Sequence, residues 1–528
     1  MNEIRTHFYS FGQLEKSKKK ILLLFSSCLL IFLLARVNYQ QVSSFSFVDE
    51  FNNYMAAYFM LHGRHLYSQI FFNHQMIMPY ISYTIQFFLH PQSLYKLIFY
   101  HRMSIFLFSI AMDILITLRY NISGFFFAFF FELTKFYLFG NLFLAEAIVV
   151  YLLVYLFLLS LEKLRGKGLS FKDYILSALF TWLTVFLREP LIPVALFLYA
   201  VILWDKKISK GQLLSIGIFT ACSLLIISTV PLKDYIYELT KVNATTIVSS
   251  EAKTNNILGL GILRVVFYPL VILSEGKVNY FKNILLTFDI IFLAFLTFFL
   301  RKREMIKEVT FIVLVLGLAN IRFVPPGSIF YSAFHMLPWY GLFLATNAIV
   351  IKSVYIQNNI KMKKILFAVL TSLSVYILFS PGSFIWQKIS IQEQFTTNYA
   401  SYYVNGEIVN TLARKSDTLF IDGYDSLVFW QSKRGSSYKY TFFYPVMATI
   451  PLYREERRRM FAYNPPMFYY TNCPKDSHDS PYLSFDVARN YTQLKHNGVR
   501  TCLYIHKRKI SSISSERWSQ IKQLGFYL

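Results

Sequence analysis

Two adjacent carboxylates near the start of the chain have the residue type and the setting for acid–base chemistry. Asp49 and Glu50 follow an apolar segment and are flanked by Phe47 and Phe51. Carboxylates next to aromatic residues at a membrane surface are costly to desolvate and need a reason to be there. One interpretation is a general base that takes the proton from an acceptor hydroxyl. The alternative is a solvated loop pair or a helix N-terminal cap.

Basic residues at the ends of apolar segments are candidates for binding an anion. Arg188 precedes Glu189-Pro190, and Arg322 precedes the segment 324–327. An arginine offers a forked set of donors that suits phosphate, although at a membrane interface it can instead extend its charge into water. His335 is a weaker candidate, because a histidine in a helix more often makes a structural hydrogen bond.

Acidic residues inside apolar segments are also informative. Glu146 is costly in a membrane helix unless it faces a cavity or a partner. Glu132 and Lys135 are three residues apart on another segment, and we expect them to pair with each other. Asp113 and Asp289 have no role that the sequence assigns.

The elements that carry these residues are membrane helices. The chain of 528 residues is 55% hydrophobic and 19% aromatic, with only 16% charged residues, whereas a soluble domain has about 25% charged residues. Its apolar blocks approach the roughly 20 residues that cross a bilayer. These properties exclude a soluble enzyme, a disulfide scaffold and a disordered protein. Four cysteines are too few for a multi-cysteine zinc module.

The net charge of +24 is concentrated in basic tracts between the apolar blocks. Such tracts are typical of cytoplasmic loops, so we expect no nucleic-acid partner. The same rule predicts a cytoplasmic N-terminus and an extracytoplasmic C-terminal domain. Every strongly basic loop is cytoplasmic only if the short apolar segments 76–89 and 258–273 are juxtamembrane helices on the outer face.

The predicted fold class is an α-helical polytopic protein of the plasma (inner) membrane, with about eleven transmembrane helices and outer juxtamembrane helices. A membrane domain covers 1–380, and a small extracytoplasmic α/β domain covers 381–528. The outer face is formed by 38–94, 231–281, 322–333 and 381–528. The predicted spans are 21–38, 95–118, 123–139, 143–160, 174–188, 190–204, 212–230, 282–300, 309–321, 334–351 and 365–380.

The C-terminal domain has a different composition from the rest of the chain. Segment 417–423 is predicted to form a strand and turn, 501–505 a strand, and 487–496 a helix. Cys473 and Cys502 both lie in this domain, where a disulfide is one alternative and two free thiols are the other.

A series of short motifs in the first outer loop resembles a known family. Asp49-Glu50 is followed by Gly63-Arg64-His65-Leu66-Tyr67, then by His74 and by Pro79-Tyr80. With the outer juxtamembrane helices, this series resembles the GT-C superfamily of polytopic glycosyltransferases, in the branch of the protein O-mannosyltransferases and the lipid A aminoarabinose transferase. Segment 417–434 also resembles the outer domain of that family. The arrangement of helices and loops resembles that of the family along most of the chain. Specific motifs of the family are found only in the first outer loop.

The resemblance implies transfer of a sugar from a polyprenyl-phosphate donor to an envelope glycan, lipid or protein on the outer face. It implies that Asp49 is the general base and that Glu50 orients it or binds the acceptor. For the donor phosphate it implies His74, Arg188 and Arg322, and for the donor-sugar and acceptor pocket it implies Glu146, Tyr67 and His335.

No cofactor or metal site is predicted from the motifs. The spacing of His and Cys does not match a zinc site, and no Gly-rich phosphate loop indicates a nucleotide-sugar donor. Mg²⁺ or Mn²⁺ bound between Asp49 and a donor phosphate is left open.

Two other functions compete with sugar transfer. A flippase or transporter of lipid-linked glycans often has paired halves that meet at the midplane, but this chain has no such repeat and its polar candidates gather at one face. A polysaccharide polymerase or ligase would use arginines and a histidine in a late outer loop. The sequence does not identify the sugar or the acceptor.

Overall fold

The computed structural model describes residues 25–205, 208–243, 280–300, 305–319, 333–356, 360–471 and 489–528. Helices dominate these ranges, and every predicted span coincides with one of them. The helices are α1 Phe25–Gln40, α2 Val48–Leu61, α3 Ile77–Leu89, α4 Leu94–Tyr120, α5 Ile122–Thr134, α6 Ala145–Leu164, α7 Phe171–Leu187, α8 Ile192–Leu203, α9 Lys210–Ile227, α10 Leu232–Ile236, α11 Tyr280–Leu300, α12 Ile306–Ala319, α13 Leu337–Ile356, α14 Ile360–Phe379, α15 Ile391–Leu412, α16 Leu427–Ser432, α17 Pro451–Tyr463, α18 Lys507–Ile510 and α19 Ser515–Gln523.

Among the described residues, five helices have the length and apolar composition to cross a membrane: Leu94–Tyr120, Ala145–Leu164, Lys210–Ile227, Ala333–Tyr355 and Ile360–Phe379. Several others that match predicted spans are shorter, such as α1 and α8. The predicted juxtamembrane segment 76–89 is helical as α3, and Pro79 does not break it. Pro79 lies in the first turn, where a missing N–H costs no hydrogen bond. The other predicted juxtamembrane segment, 258–273, lies outside the described residues.

The chain divides into two compact units, and the first contains 1–42, 102–221 and 256–389. Its centre is formed by α6 and α13, whose apolar windows are 83% and 89% buried. These helices approach so closely that a Cβ on Gly341 would lie 2.2 Å from Cγ2 of Val150. Glycine at this position therefore sets the spacing of the two central helices.

The second unit contains 43–101, 222–255 and 390–528. Parts of three predicted outer segments, 38–94, 231–281 and 381–528, thus belong to one compact body. The domain boundary at 380 and the sidedness of these segments stay predictions. Two of the unit boundaries fall inside α4 and α9.

A mixed six-stranded sheet forms the centre of the C-terminal part. Its strand order is β2-β1-β3-β5-β4-β6. Strand β1 pairs in parallel with β2 and β3, whereas β3, β5, β4 and β6 pair antiparallel. The strands are β1 Thr418–Asp422, β2 Gly435–Ser436, β3 Phe468–Thr471, β4 Tyr491–His496, β5 Val499–His506 and β6 Phe526–Tyr527.

The sheet confirms two of the three predicted elements of this domain and corrects the third. Strands β1 and β5 coincide with the predicted strands 417–423 and 501–505. The predicted helix 487–496 is wrong over Tyr491–His496, which forms β4. Cys502 is disulfide-bonded, and its predicted partner Cys473 lies outside the described residues.

Candidate active site

The predicted acidic pair lies in the first turn of α2. The helix N-cap, Phe47, makes no side-chain capping bond, and Asp49 and Glu50 supply negative charge at this end, where the helix dipole stabilises it. Glu50 is fully buried and accepts a hydrogen bond from Tyr54 Oη at 3.1 Å. Asp49 is half-buried. Of the two carboxylates, Asp49 is therefore the more accessible and Glu50 is part of the packing of α2.

Tyrosines of the C-terminal part lie near Asp49, in the same unit. The Tyr444 hydroxyl donates to Asn52 Oδ1, one turn along α2 from the acidic pair. Burial raises the pKa of Tyr444 well above its ordinary value, and the nearby charge of Asp49 raises it further. Tyr424 stacks on Tyr444 with ring centroids 5.3 Å apart. These tyrosines could not be assigned to the site from the sequence, because they are 375 or more positions away from Asp49 along the chain.

The Gly63–Tyr67 motif fixes the loop that leads to His74. Gly63 has a φ of +80°, which favours glycine. Arg64 donates to the carbonyls of Ser436 at 2.5 Å and of Tyr438 at 2.9 Å. Tyr67 is buried, and its hydroxyl donates to the carbonyl of His74 at 2.8 Å. The motif thus has a positioning role, whereas sugar contact by Tyr67 stays a prediction.

Glu238 supports the same loop and was missed from the sequence. It follows α10 in a short π-helix, Tyr237–Val242, and is buried. Its carboxyl group accepts from the Phe72 N–H at 2.6 Å and from Tyr453 Oη at 3.2 Å. Burial raises the pKa of this carboxyl well above its ordinary value. An acid in a predicted outer loop is ordinary, so the sequence carries no signal for this role.

In the first unit, three predicted site residues come together. Arg188 Nε lies 2.6 Å from Glu146 Oε1, and His335 Nδ1 lies 3.1 Å from the same oxygen. The Arg188 and Glu146 side chains are only 6% and 4% exposed, so Arg188 does not extend into water. Glu146 has the partner that its location in an apolar helix requires. The result is a buried ion pair with an imidazole beside it.

Three separate local structures position this cluster. Glu146 lies in the first turn of α6. Arg188 has extended backbone between α7 and the turn Glu189–Leu191, because Pro190 prevents α7 from continuing. His335 lies in the 3₁₀ turn Ala333–Met336 that leads into α13. A helix start, a break and a turn each direct one polar side chain to the same point.

A second buried ion pair in the first unit confirms the predicted contact of Glu132 with Lys135. Their charged groups are 2.6 Å apart, and Tyr151 Oη donates to Glu132. Asp113, on α4, has a buried carboxylate oxygen that lacks a hydrogen-bond partner among the described residues. We assign the Glu132–Lys135 pair a structural role.

Two predicted features of the site remain: the phosphate ligand Arg322 and the metal ion that the sequence leaves open. Arg322 lies outside the described residues. Within the ranges that the structure describes, no group of three His, Cys, Asp or Glu side chains is arranged to hold a metal ion. Binding of Mg²⁺ or Mn²⁺ with a donor phosphate therefore stays open, as it was from the sequence.

Comparison with known proteins finds a similarity of fold to a solved structure. No family model matches the chain, and no curated protein matches it. Among solved structures, the chain is similar to ArnT from Cupriavidus metallidurans, which was crystallised bound to undecaprenyl phosphate. The similarity covers 92% of this chain and 97% of ArnT, with a TM-score of 0.53 and 11% sequence identity. It confirms the predicted fold class: this chain is an α-helical, multi-pass membrane protein whose fold is similar to that of ArnT.

Proposed function

We propose that this protein is an integral-membrane glycosyltransferase that moves a sugar from a polyprenyl-phosphate donor to an acceptor on the outer face. The observation that carries the proposal is the accessible carboxylate Asp49 beside the buried Glu50, in a chain with the fold of ArnT. One fold can host several functions, so the proposal depends on what these side chains can do.

Asp49 is the proposed general base. As the acceptor oxygen attacks the anomeric carbon of the donor sugar, its proton passes to Asp49. The bond from that carbon to the phosphate oxygen breaks, and the polyprenyl phosphate leaves with the electron pair. Glu50, buried and bonded to Tyr54, fixes the first turn of α2 and so positions its neighbour.

The leaving phosphate requires cations, and Arg188, His74 and Arg322 are the proposed donors. The contact of Arg188 with Glu146 supports this role, because it holds the guanidinium in one orientation. A preorganised cation stabilises charge that develops in the transition state without further reorganisation. Glu146 and His335 are proposed to line the donor-sugar side of the pocket. The acceptor is proposed to be an envelope glycan, lipid or protein.

Substitution of Asp49 by Asn tests the proposal directly. Asn keeps the shape and polarity of the side chain but cannot accept the proton, so the rate of transfer should fall by at least about a hundredfold. Radiolabelled sugar transferred from purified polyprenyl-phosphate donor is measured in reconstituted vesicles. Glu50→Gln should have a smaller effect if Glu50 only positions its neighbour.

A matched control is available in the same unit. Glu393 is an exposed acid in the first turn of α15, so Glu393→Gln removes the same charge from the N-terminus of a different helix. This variant should transfer sugar at the normal rate. Normal transfer by Asp49→Asn, at normal expression, would remove Asp49 as the base and favour the flippase alternative, which has no hydroxyl to deprotonate.

A further inference from the structure

A cavity of about 660 Å³ lies in the first unit. None of its lining residues belongs to the Glu146–Arg188–His335 cluster. Its wall comes from the end of α6, the α6–α7 turn, α7, the end of α8, and residues 204, 205 and 209. Lys163, Lys167, Tyr174, Trp204 and Asp205 are among its lining residues. The volume falls in the range of small-molecule sites, about 300–1,000 Å³. The positive-inside rule assigns this basic segment to the cytoplasmic face.

The charge in the wall suits a singly charged anion. Among the described residues, two lysines and one aspartate are the charged residues of the lining. Lys163 pairs with Asp205, and Lys167 lies 2.9 Å from Glu162, which also binds Arg119 at 2.6 Å. An ammonium group has three protons, so each lysine can hold its carboxylate and still donate to a ligand.

Apolar side chains are exposed at and near the cavity. Trp204 and Leu164 in the lining are 82% and 45% exposed, and Phe171 and Ile208, each within two residues of a lining residue, are also exposed. On a membrane protein, an exposed tryptophan at a helix end is typical of the interface between headgroups and acyl chains. A soluble anion would bind the ammonium groups of the lysines but would not contact these exposed apolar side chains.

We propose that this cavity binds the headgroup of an anionic phospholipid, with the phosphodiester at Lys163 and Lys167 and the acyl chains against Trp204 and its apolar neighbours. Basic pockets between membrane helices on the cytoplasmic side suit such headgroups. The proposal does not depend on the transfer reaction, because none of these residues belongs to the proposed active site.

Native mass spectrometry of the full-length protein in neutral detergent tests the proposal, with phosphatidylglycerol or phosphatidylcholine added in equal amounts. The wild type should retain phosphatidylglycerol preferentially. Lys163→Gln with Lys167→Gln should weaken its retention roughly tenfold or more. Gly168, also in the lining, has open space where a Cβ would lie. Gly168→Trp should therefore fill the cavity and cause the same loss with every charge kept.

Lys361→Gln with Lys363→Gln is the matched control, because it removes two charges from the start of α14 and not from the lining. This variant should retain the lipid like the wild type. Thermal unfolding checks that all variants are folded. Undiminished retention by the folded Gly168→Trp protein, or equal retention of phosphatidylcholine, would overturn the proposal. Displacement by an equal concentration of free glycerol 3-phosphate would show a soluble anion site instead and would also overturn it.

Discussion

At the scale of single residues, Arg188 and Glu146 allow a structural role to be separated from a catalytic one. Each forms half of a buried ion pair, and removal of one partner leaves an uncompensated charge that costs about 3–5 kcal/mol. Arg188→Ala and Glu146→Ala should therefore each lower the free energy of unfolding strongly. The double variant should regain much of this loss, because neither deeply buried charge is left without the other. Glu189, which lies 3.8 Å from Arg188, is 23% exposed and can be hydrated.

Sugar transfer distinguishes the two roles in the same proteins. If Arg188 stabilises the leaving phosphate, the double variant should be folded and still inactive, and Arg188→Lys should recover only part of the rate because lysine lacks the fork. Unfolding in detergent and transfer in vesicles are measured for all four proteins. A double variant that is both stable and active would show that the pair only holds the helices together.

Glu238 makes a prediction about pH. Its folded-state pKa is raised by burial above the ordinary 4.5, so the stability associated with its protonated form is complete below that value. That stability is lost as pH rises through the folded-state pKa. Glu238→Gln, which resembles the protonated acid, should remove this part of the pH dependence and should be more stable than the wild type at alkaline pH. Unfolding measured between pH 5 and pH 9 checks this, with Glu393→Gln as the control. Parallel curves for the wild type and Glu238→Gln would contradict it.

At the scale of elements, the close approach of α6 and α13 gives a prediction about packing. Gly341→Ala brings a methyl group within 2.2 Å of Val150 Cγ2, and overpacking of this kind costs about 1–3 kcal/mol. Val150→Ala in the same protein should restore part of the loss, because it removes the clashing methyl. Gly217→Ala on α9, where the Cβ would meet nothing within 4 Å, should be neutral or slightly stabilising. These effects are read from thermal unfolding, and equal melting temperatures for Gly341→Ala and Gly217→Ala would contradict the packing argument.

The helices could be predicted from the sequence because a bilayer demands long apolar segments, whatever their tertiary contacts. Strand β4 could not, and its burial pattern shows why. Tyr491 and Leu494 are buried and lie three residues apart, as on one face of a helix. The strand register shifts between Gln493 and Lys495, and this irregularity removes the alternation by which a strand is usually recognised.

The candidate site was predictable one residue at a time but not as an arrangement. Glu146 and Arg188 stand out because charge is rare in or beside apolar segments. Their contact with each other and with His335, however, depends on three elements far apart in the chain. Tyr444 and Glu238 gave no signal at all. Glu238 lies among other polar residues of the sequence, and Tyr444 directly follows Phe442 and Phe443, so neither residue type is unusual where it occurs.

At the scale of the whole molecule, the predicted sidedness can be tested by labelling. Lys172 and Lys415 are exposed, and the sequence predicts that they lie on opposite sides of the membrane. In a protein with the free Cys28 and Cys222 replaced by serine, Lys172→Cys should resist an impermeant thiol reagent in intact cells and Lys415→Cys should react. Both should react after the membrane is permeabilised. The opposite pattern in intact cells would place the proposed base in the cytoplasm and contradict the proposed reaction.

The bonds of Arg64 have a consequence for how the protein is made. The carbonyl of Tyr438 that Arg64 contacts lies 374 residues further along the chain. At a synthesis rate of about 5–20 residues per second, a ribosome needs roughly 20–75 seconds to cover that distance. For most of this interval the segment that contains Asp49 has left the ribosome, but the backbone that Arg64 will contact has not yet been synthesised. A nascent chain halted before Ser436 should therefore expose this segment to protease, and catalytic competence should appear only after the last third of the polypeptide has been translated.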